Sequence, residues 1–198
     1  MLSRRCTLNT FSNEALFPIN QGHVYYRYSS NQIYIERLKE FIADGIQQNQ
    51  SILIIDNMRN IPILEGLLKK EFPTAGPQEI HLVNNYDFYL SNGDFNTSTI
   101  LDHFEKELSR FNNSKEIRSW AQVEWSSTTP DTEKAEEFES YADEYILDQK
   151  MLTVCAYSTQ RLTERLHETL ASTHLHLLTD TSYEISPLYR SRQASNAG

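Results

Sequence analysis

The sequence has 198 residues and a formal net charge of −9, and 39% of its residues are hydrophobic and 11% aromatic. This length and composition favour one folded domain over two domains or a disordered chain, and the acidic excess disfavours nonspecific binding to nucleic acid or to an anionic membrane. No apolar run approaches the roughly 20 residues of a spanning helix, and the N-terminus lacks the apolar core of a signal peptide, so we expect a cytoplasmic protein.

The spacing of apolar residues predicts six strands that alternate with five helices. The strands are expected at residues 23–28, 51–56, 79–84, 117–125, 151–157 and 174–178. The helices are expected at about 31–47, 61–72, 97–111, 130–148 and 158–170. This order indicates a single α/β domain over residues 23–189, with a mostly parallel sheet of about six strands and helices on both faces. Residues 1–22 are expected to form an irregular lead-in, and residues 190–198 a flexible polar tail.

The run from Ser51 to Asp56 has four consecutive aliphatic residues between polar ends, which is typical of a strand buried on both faces. In open α/β sheets, ligands bind beyond the carboxyl ends of such strands. Five side chains end predicted strands on that side, and we predict that they line a ligand pocket: Tyr28, Asp56, Glu124, Trp125 and Tyr157. For Asp56, the competing interpretation is a strand-end residue that caps the next turn.

The turn after the first predicted strand argues against nucleotide chemistry. A P-loop needs glycines and a lysine at this place, whereas the turn Tyr28–Gln32 has the sequence YSSNQ. The glycines are too widely spaced for a dinucleotide-binding motif, and no Gly-x-Ser-x-Gly nucleophile motif is present. We therefore predict a protein that is not an enzyme and needs no cofactor.

The spacing of cysteine and histidine residues does not predict a metal site. Cys6 and Cys155 have neither the spacing of a disulfide framework nor that of a metal site, so both are expected to be free thiols, with Cys155 in the core. His174 and His176 would share one face of the last strand, a spacing that metals can use, but no third ligand is identifiable.

Two segments carry polar residues that need an explanation. In strand 117–125, Arg118 is expected to be structural, and Glu124 either to be paired or to meet a ligand; an edge strand with a solvated face is the alternative. The segment 131–148 of the fourth predicted helix carries eight acidic residues and one lysine. A solvated helix face accounts for this pattern, and the sharper hypothesis is a docking surface for a basic partner, formed by Glu136, Glu137 and Asp143.

Seven motifs, spread over residues 20–189, together carry a family resemblance. They are Gly22-His23 with Tyr28, Phe41-x3-Gly45-Ile46, Ser51-Ile-Leu-Ile-Ile-Asp56, Arg118-x5-Glu124-Trp125, Glu139 with Tyr141, Val154-Cys155-Ala156-Tyr157, and His174. In order and spacing they resemble the MEDS domain, a sensory domain named from methanogens and methylotrophs and related to RecA/KaiC-type ATPases without their P-loop. Where the family tends to have Gly-Glu-Met-x-Trp, this sequence has Ala121-Gln-Val-Glu-Trp125, which keeps the Glu and Trp and lacks the Gly.

The resemblance implies a RecA/KaiC-like fold and a non-catalytic sensory role in bacterial signal transduction, with a small organic or hydrocarbon-like molecule as the ligand. Family members usually carry an output module such as a DNA-binding domain or a histidine kinase. Because the chain leaves no room for one, it is expected to stand alone and to signal to a partner protein, such as a histidine kinase or a transcription regulator. Two alternatives stay open: a ligand-free regulator that acts through the acidic helix, and a degenerate nucleotide-binding ATPase relative.

Overall fold

The computed structural model describes residues 19–76, 79–111, 115–125 and 131–190, which form seven strands and six α-helices. The strands are β1 (Gly22–Tyr28), β2 (Ser51–Asp56), β3 (Ile80–Asn84), β4 (Ile117–Gln122), β5 (Leu152–Ser158), β6 (His176–Thr179) and β7 (Tyr183–Ile185). The helices are α1 (Asn31–Gln47), α2 (Ile61–Glu71), α3 (Asn85–Leu90), α4 (Thr97–Leu108), α5 (Thr132–Asp148) and α6 (Glu164–Thr173). Within this described part of the chain, no helix combines the length and the hydropathy needed to cross a membrane.

The strands form one sheet in the order β3-β2-β4-β5-β1-β6-β7. Neighbouring strands run parallel from β3 to β6, and β7 alone pairs antiparallel, with β6. The predicted α/β fold with a mostly parallel sheet is therefore confirmed. Because β1 to β6 are parallel, their carboxyl ends meet along one edge of the sheet, where the pocket is expected.

Side chains alternate between two faces of the sheet, and each face is covered by helices. On one face, Trp120 packs with Tyr34 of α1 and Leu64 of α2. On the other face, Tyr25 belongs to a cluster that includes Phe138 of α5 and apolar residues of α3, α4 and α6. With both faces covered, β2 is buried along its whole length, as its continuous aliphatic run predicts.

The structure adds two short elements that the sequence patterns do not predict. α3 has six residues, and its N-cap Asn84 accepts a hydrogen bond from the backbone N–H of Tyr86. β7 has three residues and lies at the sheet edge beside β6. Elements this short contain too few residues for a hydrophobic period to appear.

Some predicted boundaries also differ from the structure. β4 ends at Gln122 rather than at Trp125. The helix predicted from residue 158 begins at Glu164 with Thr163 as its cap, and Ser158 instead caps a single 3-10 turn, Thr159–Arg161. Predictions that concern residues 1–18, with Cys6 among them, residues 129–130 and residues 191–198 lie outside the described residues.

Arg118 is fully buried near the amino end of β4, away from the carboxyl edge. Its guanidinium donates to the Asp44 carboxylate at 2.8 Å, to the Gln50 side-chain oxygen at 2.5 Å and to the Phe41 carbonyl at 3.0 Å. Gly45 permits this arrangement, because a Cβ atom there would lie 2.9 Å from Cδ of Arg118. These contacts give Arg118 the structural role that its position in the predicted strand indicates.

Candidate functional site

An open cleft of about 910 Å³ lies at the carboxyl ends of β2, β3 and β4. Its wall contains the predicted pocket residues Glu124 and Trp125, together with several amide side chains and Tyr86. Met58 and Tyr86, which also line the cleft, are 64% and 61% exposed. A cleft at this edge is where a parallel α/β sheet is expected to bind a ligand.

Gln122, the last residue of β4, organises the polar wall of the cleft. Its side-chain oxygen accepts hydrogen bonds from the amide groups of Asn57 at 2.6 Å and Asn85 at 3.1 Å. Its amide group donates to the hydroxyl of Tyr28 at 2.6 Å. Sequence reasoning did not single out Gln122; the available signal was a polar residue at the end of a buried strand. These mutual bonds hold the amide groups of the cleft in fixed positions.

Glu124 and Trp125 are joined by Arg161, which follows β5. The Arg161 guanidinium forms an ion pair with Glu124, lies 4.9 Å from the centre of the Trp125 ring and donates to the Trp125 carbonyl at 3.0 Å. The side chains of Glu124 and Arg161 keep 27% and 33% of their surface exposed. Glu124 is therefore in an ion pair, which is one of the two outcomes expected from the sequence, and it also lines the cleft.

The described residues that line the cleft do not include Tyr28 or Asp56, which lie behind its wall. Asp56 is fully buried and accepts hydrogen bonds from the Tyr34 hydroxyl at 2.6 Å, the Asn60 amide at 3.0 Å and the backbone N–H of Asn57 at 2.7 Å. Burial raises the pKa of the Asp56 carboxyl to about 6, although these hydrogen bonds oppose the rise. This geometry matches the turn-capping interpretation of Asp56, and Tyr28 reaches the cleft through its bond to Gln122.

The turn between β1 and α1 holds a carboxylate where a P-loop would hold phosphate. Asp180 accepts hydrogen bonds from the backbone N–H of Ser29 at 2.9 Å, the Ser29 hydroxyl at 2.7 Å and the Tyr26 hydroxyl at 2.8 Å. Burial would raise the pKa of Asp180, but the hydrogen bonds from Ser29 outweigh it and hold that pKa below its usual value. An ionised carboxylate at this turn repels a phosphate group.

Tyr157 is buried on the sheet face that packs against α5. It is not one of the described residues that line the cleft. Its hydroxyl donates a short hydrogen bond to the carboxylate of Glu139 on α5. Its ring lies 5.8 Å from that of Trp125, measured between centroids. Tyr157 therefore stands between the cleft and a second group of polar residues deeper in the molecule.

That second group, the buried donor cluster, consists of His23, Glu139, Cys155 and His174. One donor atom of each residue lies within 4.8 Å of the others, and the four side chains are buried. Burial raises the pKa of the Cys155 thiol to about 12 and lowers that of the His174 imidazole to about 3. The sequence suggests that His174 and His176 share one strand face, as two metal ligands would. In the structure, His176 instead lies 2.8 Å from the Tyr183 hydroxyl, and His174 meets residues from distant parts of the chain.

The acidic α5 surface consists of the exposed residues Glu133, Glu136 and Glu137 with the partly exposed Tyr141. These residues line an open groove of about 580 Å³ next to residues of α6. Asp143 does not belong to this surface, which corrects its predicted role in partner binding. It is only 4% exposed, because it follows Glu139 by four residues and therefore shares the inward face of α5. Its carboxylate accepts a hydrogen bond from the Tyr189 hydroxyl at 2.8 Å.

Comparison with known proteins gives a family and a fold. The model of the MEDS family, described as the methanogen/methylotroph, DcmR sensory domain, matches residues 22–175. A KaiC-like protein from the hyperthermophilic archaeon Pyrococcus horikoshii OT3 is similar in structure, with a TM-score of 0.55 and 11% identity over 81% of this chain and 71% of that chain. A second solved structure, an ATPase domain, has a TM-score of 0.54 and 6% identity over 80% of this chain and 69% of that one. At such identities the likeness concerns the fold alone, and none of the curated proteins compared with the sequence matches it significantly.

Proposed function

Because the chain belongs to the MEDS family of sensory domains, we propose that it is a non-catalytic sensor that binds a small organic molecule in the cleft at the carboxyl ends of β2, β3 and β4. The observation that carries this proposal is the preorganised cleft wall, in which Gln122 holds the amide groups of Asn57 and Asn85 beside the rings of Tyr86 and Trp125. Such a surface suits a small molecule with an apolar part and one or two hydrogen-bonding groups.

The ATPase-relative alternative has weaker support, because it rests on the fold neighbours. The Asp180 carboxylate accepts the hydrogen bonds of the β1–α1 turn that a phosphate would need. A metal-holding role for Asp56 is disfavoured, because its carboxylate is buried and already accepts hydrogen bonds from Tyr34, Asn57 and Asn60. Both features favour a protein that neither hydrolyses nor tightly binds ATP.

The cleft proposal predicts a ligand-induced change in tryptophan fluorescence. We expect a member of a panel of small alcohols, amides, carboxylic acids and hydrocarbons to alter the emission of Trp125, which lines the cleft, and Mg-ATP to leave it unchanged. Replacing Tyr86 with Ala should weaken that ligand about fivefold, because an exposed ring at the rim contributes about 1 kcal/mol to binding.

Two variants make this measurement specific to the cleft. Trp125→Phe should abolish the fluorescence change, since Trp120 is buried on the opposite face of β4. Tyr141→Ala, which removes a 41% exposed tyrosine from α5, should leave the affinity unaltered. Tight binding of Mg-ATP, or a ligand whose affinity is equally insensitive to Tyr86→Ala and Tyr141→Ala, would contradict the proposal.

A second candidate function is protein binding through the acidic α5 surface, either as the output of the sensor or in place of ligand binding. The favouring observation is that Glu133, Glu136 and Glu137 are exposed together beside a groove that also contains the ring of Tyr141. A concentration of one charge sign next to an exposed aromatic ring suits a basic protein partner. We propose a signalling protein, such as a histidine kinase or a transcription regulator, as that partner.

Charge reversal tests this surface. In affinity capture with the intact chain, Glu136→Lys combined with Glu137→Lys should weaken a basic partner and leave the thermal midpoint nearly unchanged, because exposed charges contribute little to stability. Asp102→Lys combined with Glu105→Lys makes the same change in net charge on exposed residues of α4 and serves as the matched control. Equal capture by the two double variants would show that α5 is only a solvated helix face.

A further inference from the structure

The buried donor cluster contains two facing polar atoms that no hydrogen bond satisfies. Nε2 of His174 lies 3.5 Å from Oε2 of Glu139, and both atoms are buried without a hydrogen-bond partner among the described residues. Nδ1 of His174 lies 2.8 Å from the Leu170 carbonyl oxygen, a distance that requires the ring proton to be on Nδ1. Nε2 therefore presents a lone pair to a carboxylate oxygen inside a dry core, which is unfavourable unless a cation lies between them.

His23 completes the convergence from the other side of Glu139. Its Nε2 lies 3.3 Å from Oε2 of Glu139 and 3.3 Å from Sγ of Cys155. Its Nδ1 lies 3.4 Å from the Asp143 carboxylate, which can accept the remaining ring proton. The rings of His23 and His174 are 3.8 Å apart at their centroids, and Nε2 of each lies within 3.5 Å of Oε2 of Glu139.

Two donors of the cluster are held by an outer partner on their other atom. The Leu170 carbonyl orients His174, and the Tyr157 hydroxyl donates to the second oxygen of Glu139. The Asp143 carboxylate lies 3.4 Å from Nδ1 of His23 without a hydrogen bond between them. Proteins orient metal ligands in this way: a histidine ligand donates its other ring N–H to a carbonyl or carboxylate, and a carboxylate ligand accepts a further hydrogen bond. A core assembled for packing alone has no need of such an arrangement.

Three of the separations between donor atoms also fit tetrahedral coordination, and the others lie within 4.8 Å. In a tetrahedron with metal–nitrogen and metal–oxygen bonds of about 2.0–2.2 Å and a metal–sulfur bond of about 2.3 Å, neighbouring ligand atoms are about 3.3–3.6 Å apart. The separations of Glu139 Oε2 from the two histidine Nε2 atoms, and of His23 Nε2 from Cys155 Sγ, are 3.3 to 3.5 Å. A divalent ion would balance the carboxylate of Glu139 and the thiolate of Cys155, which leaves the buried site neutral.

We propose that His23, Glu139, Cys155 and His174 bind one divalent first-row transition-metal ion, with Zn²⁺ as the ion that the donor set fits best. Two imidazoles, a thiolate and a carboxylate are typical zinc ligands, and four protein ligands make a closed, structural site. The ion would tie together β1, α5, β5 and the segment before β6. This site is separate from the cleft, so it stands or falls independently of the proposed ligand.

A proton on His23 is the competing occupant of the cluster. Burial lowers the pKa of His23, but the neighbouring Cys155, Asp143 and Glu139 side chains raise it by more, so the pKa lies above its ordinary value. A protonated His23 would then lie between the carboxylates of Glu139 and Asp143. That proton would still leave Nε2 of His174 without a donor, because the His174 proton is committed to Leu170. A metal ion satisfies both rings at once.

The test uses the full chain and the metals alone. Because all four ligands are buried, the protein is unfolded in urea with a reductant, treated with a chelator, and refolded with Zn²⁺ or with Co²⁺ as a spectroscopic probe. We expect about one equivalent of Zn²⁺, bound with a Kd below about 1 μM, and a higher thermal midpoint than that of the protein refolded without metal. Co²⁺ should give the intense visible bands of a tetrahedral site and a near-ultraviolet thiolate charge-transfer band.

Variants assign the bound ion to the cluster. Cys155→Ser is nearly isosteric, so the fold is kept; it should remove the charge-transfer band and weaken Zn²⁺ at least about tenfold. The control is His81→Gln, because His81 is a half-buried histidine of β3 that contacts Glu107 of α4, away from the cluster. It should change neither the charge-transfer band nor the affinity for Zn²⁺. Absence of Zn²⁺ and Co²⁺ from the refolded wild-type chain would overturn the proposal in favour of a protonated His23. Binding that Cys155→Ser leaves unaltered would overturn it as well, because the ion would then occupy another site.

Discussion

Replacement of Arg118 by Met should lower the free energy of unfolding by about 3 kcal/mol. The side chain is fully buried and donates to Asp44, Gln50 and the Phe41 carbonyl. A neutral replacement of similar volume removes these three hydrogen bonds and leaves Asp44 without its cation, with only the Gln48 amide as a side-chain donor among the described residues. Removing one partner of a buried ion pair typically costs about 3–5 kcal/mol, and we expect the lower end because the Asp44 side chain keeps 15% of its surface exposed. Urea unfolding at neutral pH measures this loss.

A second substitution separates the loss of charge from the loss of packing. Asp44→Asn in the Arg118→Met background removes the unpaired carboxylate and should restore part of the lost stability. Arg165→Gln is the matched control, because Arg165 and its partner Glu133 keep 74% and 86% of their side-chain surface exposed, and such a pair contributes little. A loss with Arg118→Met as small as that with Arg165→Gln would mean that the buried network does not stabilise the fold.

Asp56→Asn should remove a pH dependence of stability from the protein. Burial raises the folded-state pKa of Asp56 from its ordinary value of 3.8 to about 6, so the folded chain binds this proton more tightly than the unfolded chain does. Stability from this group is therefore fully present below about pH 4 and is lost as the pH rises to about 6. Because one pKa unit is worth about 1.4 kcal/mol and a small part of the effect is already lost at pH 4, the wild type should lose about 2 kcal/mol relative to Asp56→Asn between pH 4 and pH 7.5.

The measurement is the difference in unfolding free energy between the wild type and Asp56→Asn at the two pH values, since the titration of other groups cancels in that difference. Asp102→Asn, which neutralises an exposed carboxylate on α4, controls for the loss of a negative charge. A difference that stays constant with pH would show that water reaches Asp56, and it would revive the interpretation of this residue as a ligand contact at the cleft.

The sequence by itself determined the α/β class and most elements to within a few residues. The aliphatic run before Asp56 and the helical spacing of Tyr34, Leu38 and Phe41 are local signals, because the period of a strand or helix is contained in its own residues. The order of the predicted elements also located the cleft, because the carboxyl ends of parallel strands share one edge of the sheet. Glu124 and Trp125, two and three residues after the end of β4, do lie in that cleft.

Only the tertiary structure decided which polar side chains meet. Asp56 is the last residue of β2 and Tyr157 the last but one of β5, yet Asp56 is a buried cap and the Tyr157 hydroxyl turns towards Glu139. Asp143 carries the same charge as its neighbours on α5, but the helix orients it inward.

Local patterns could not predict the buried donor cluster, because its residues come from β1, α5, β5 and the segment before β6, and two of them, His23 and His174, are 151 positions apart in the sequence. Strand order brings β1 between β5 and β6 and packs α5 above them. A donor set of this kind has no period and no spacing along the chain; it exists only where the packing of the sheet and helices removes water and brings the side chains together.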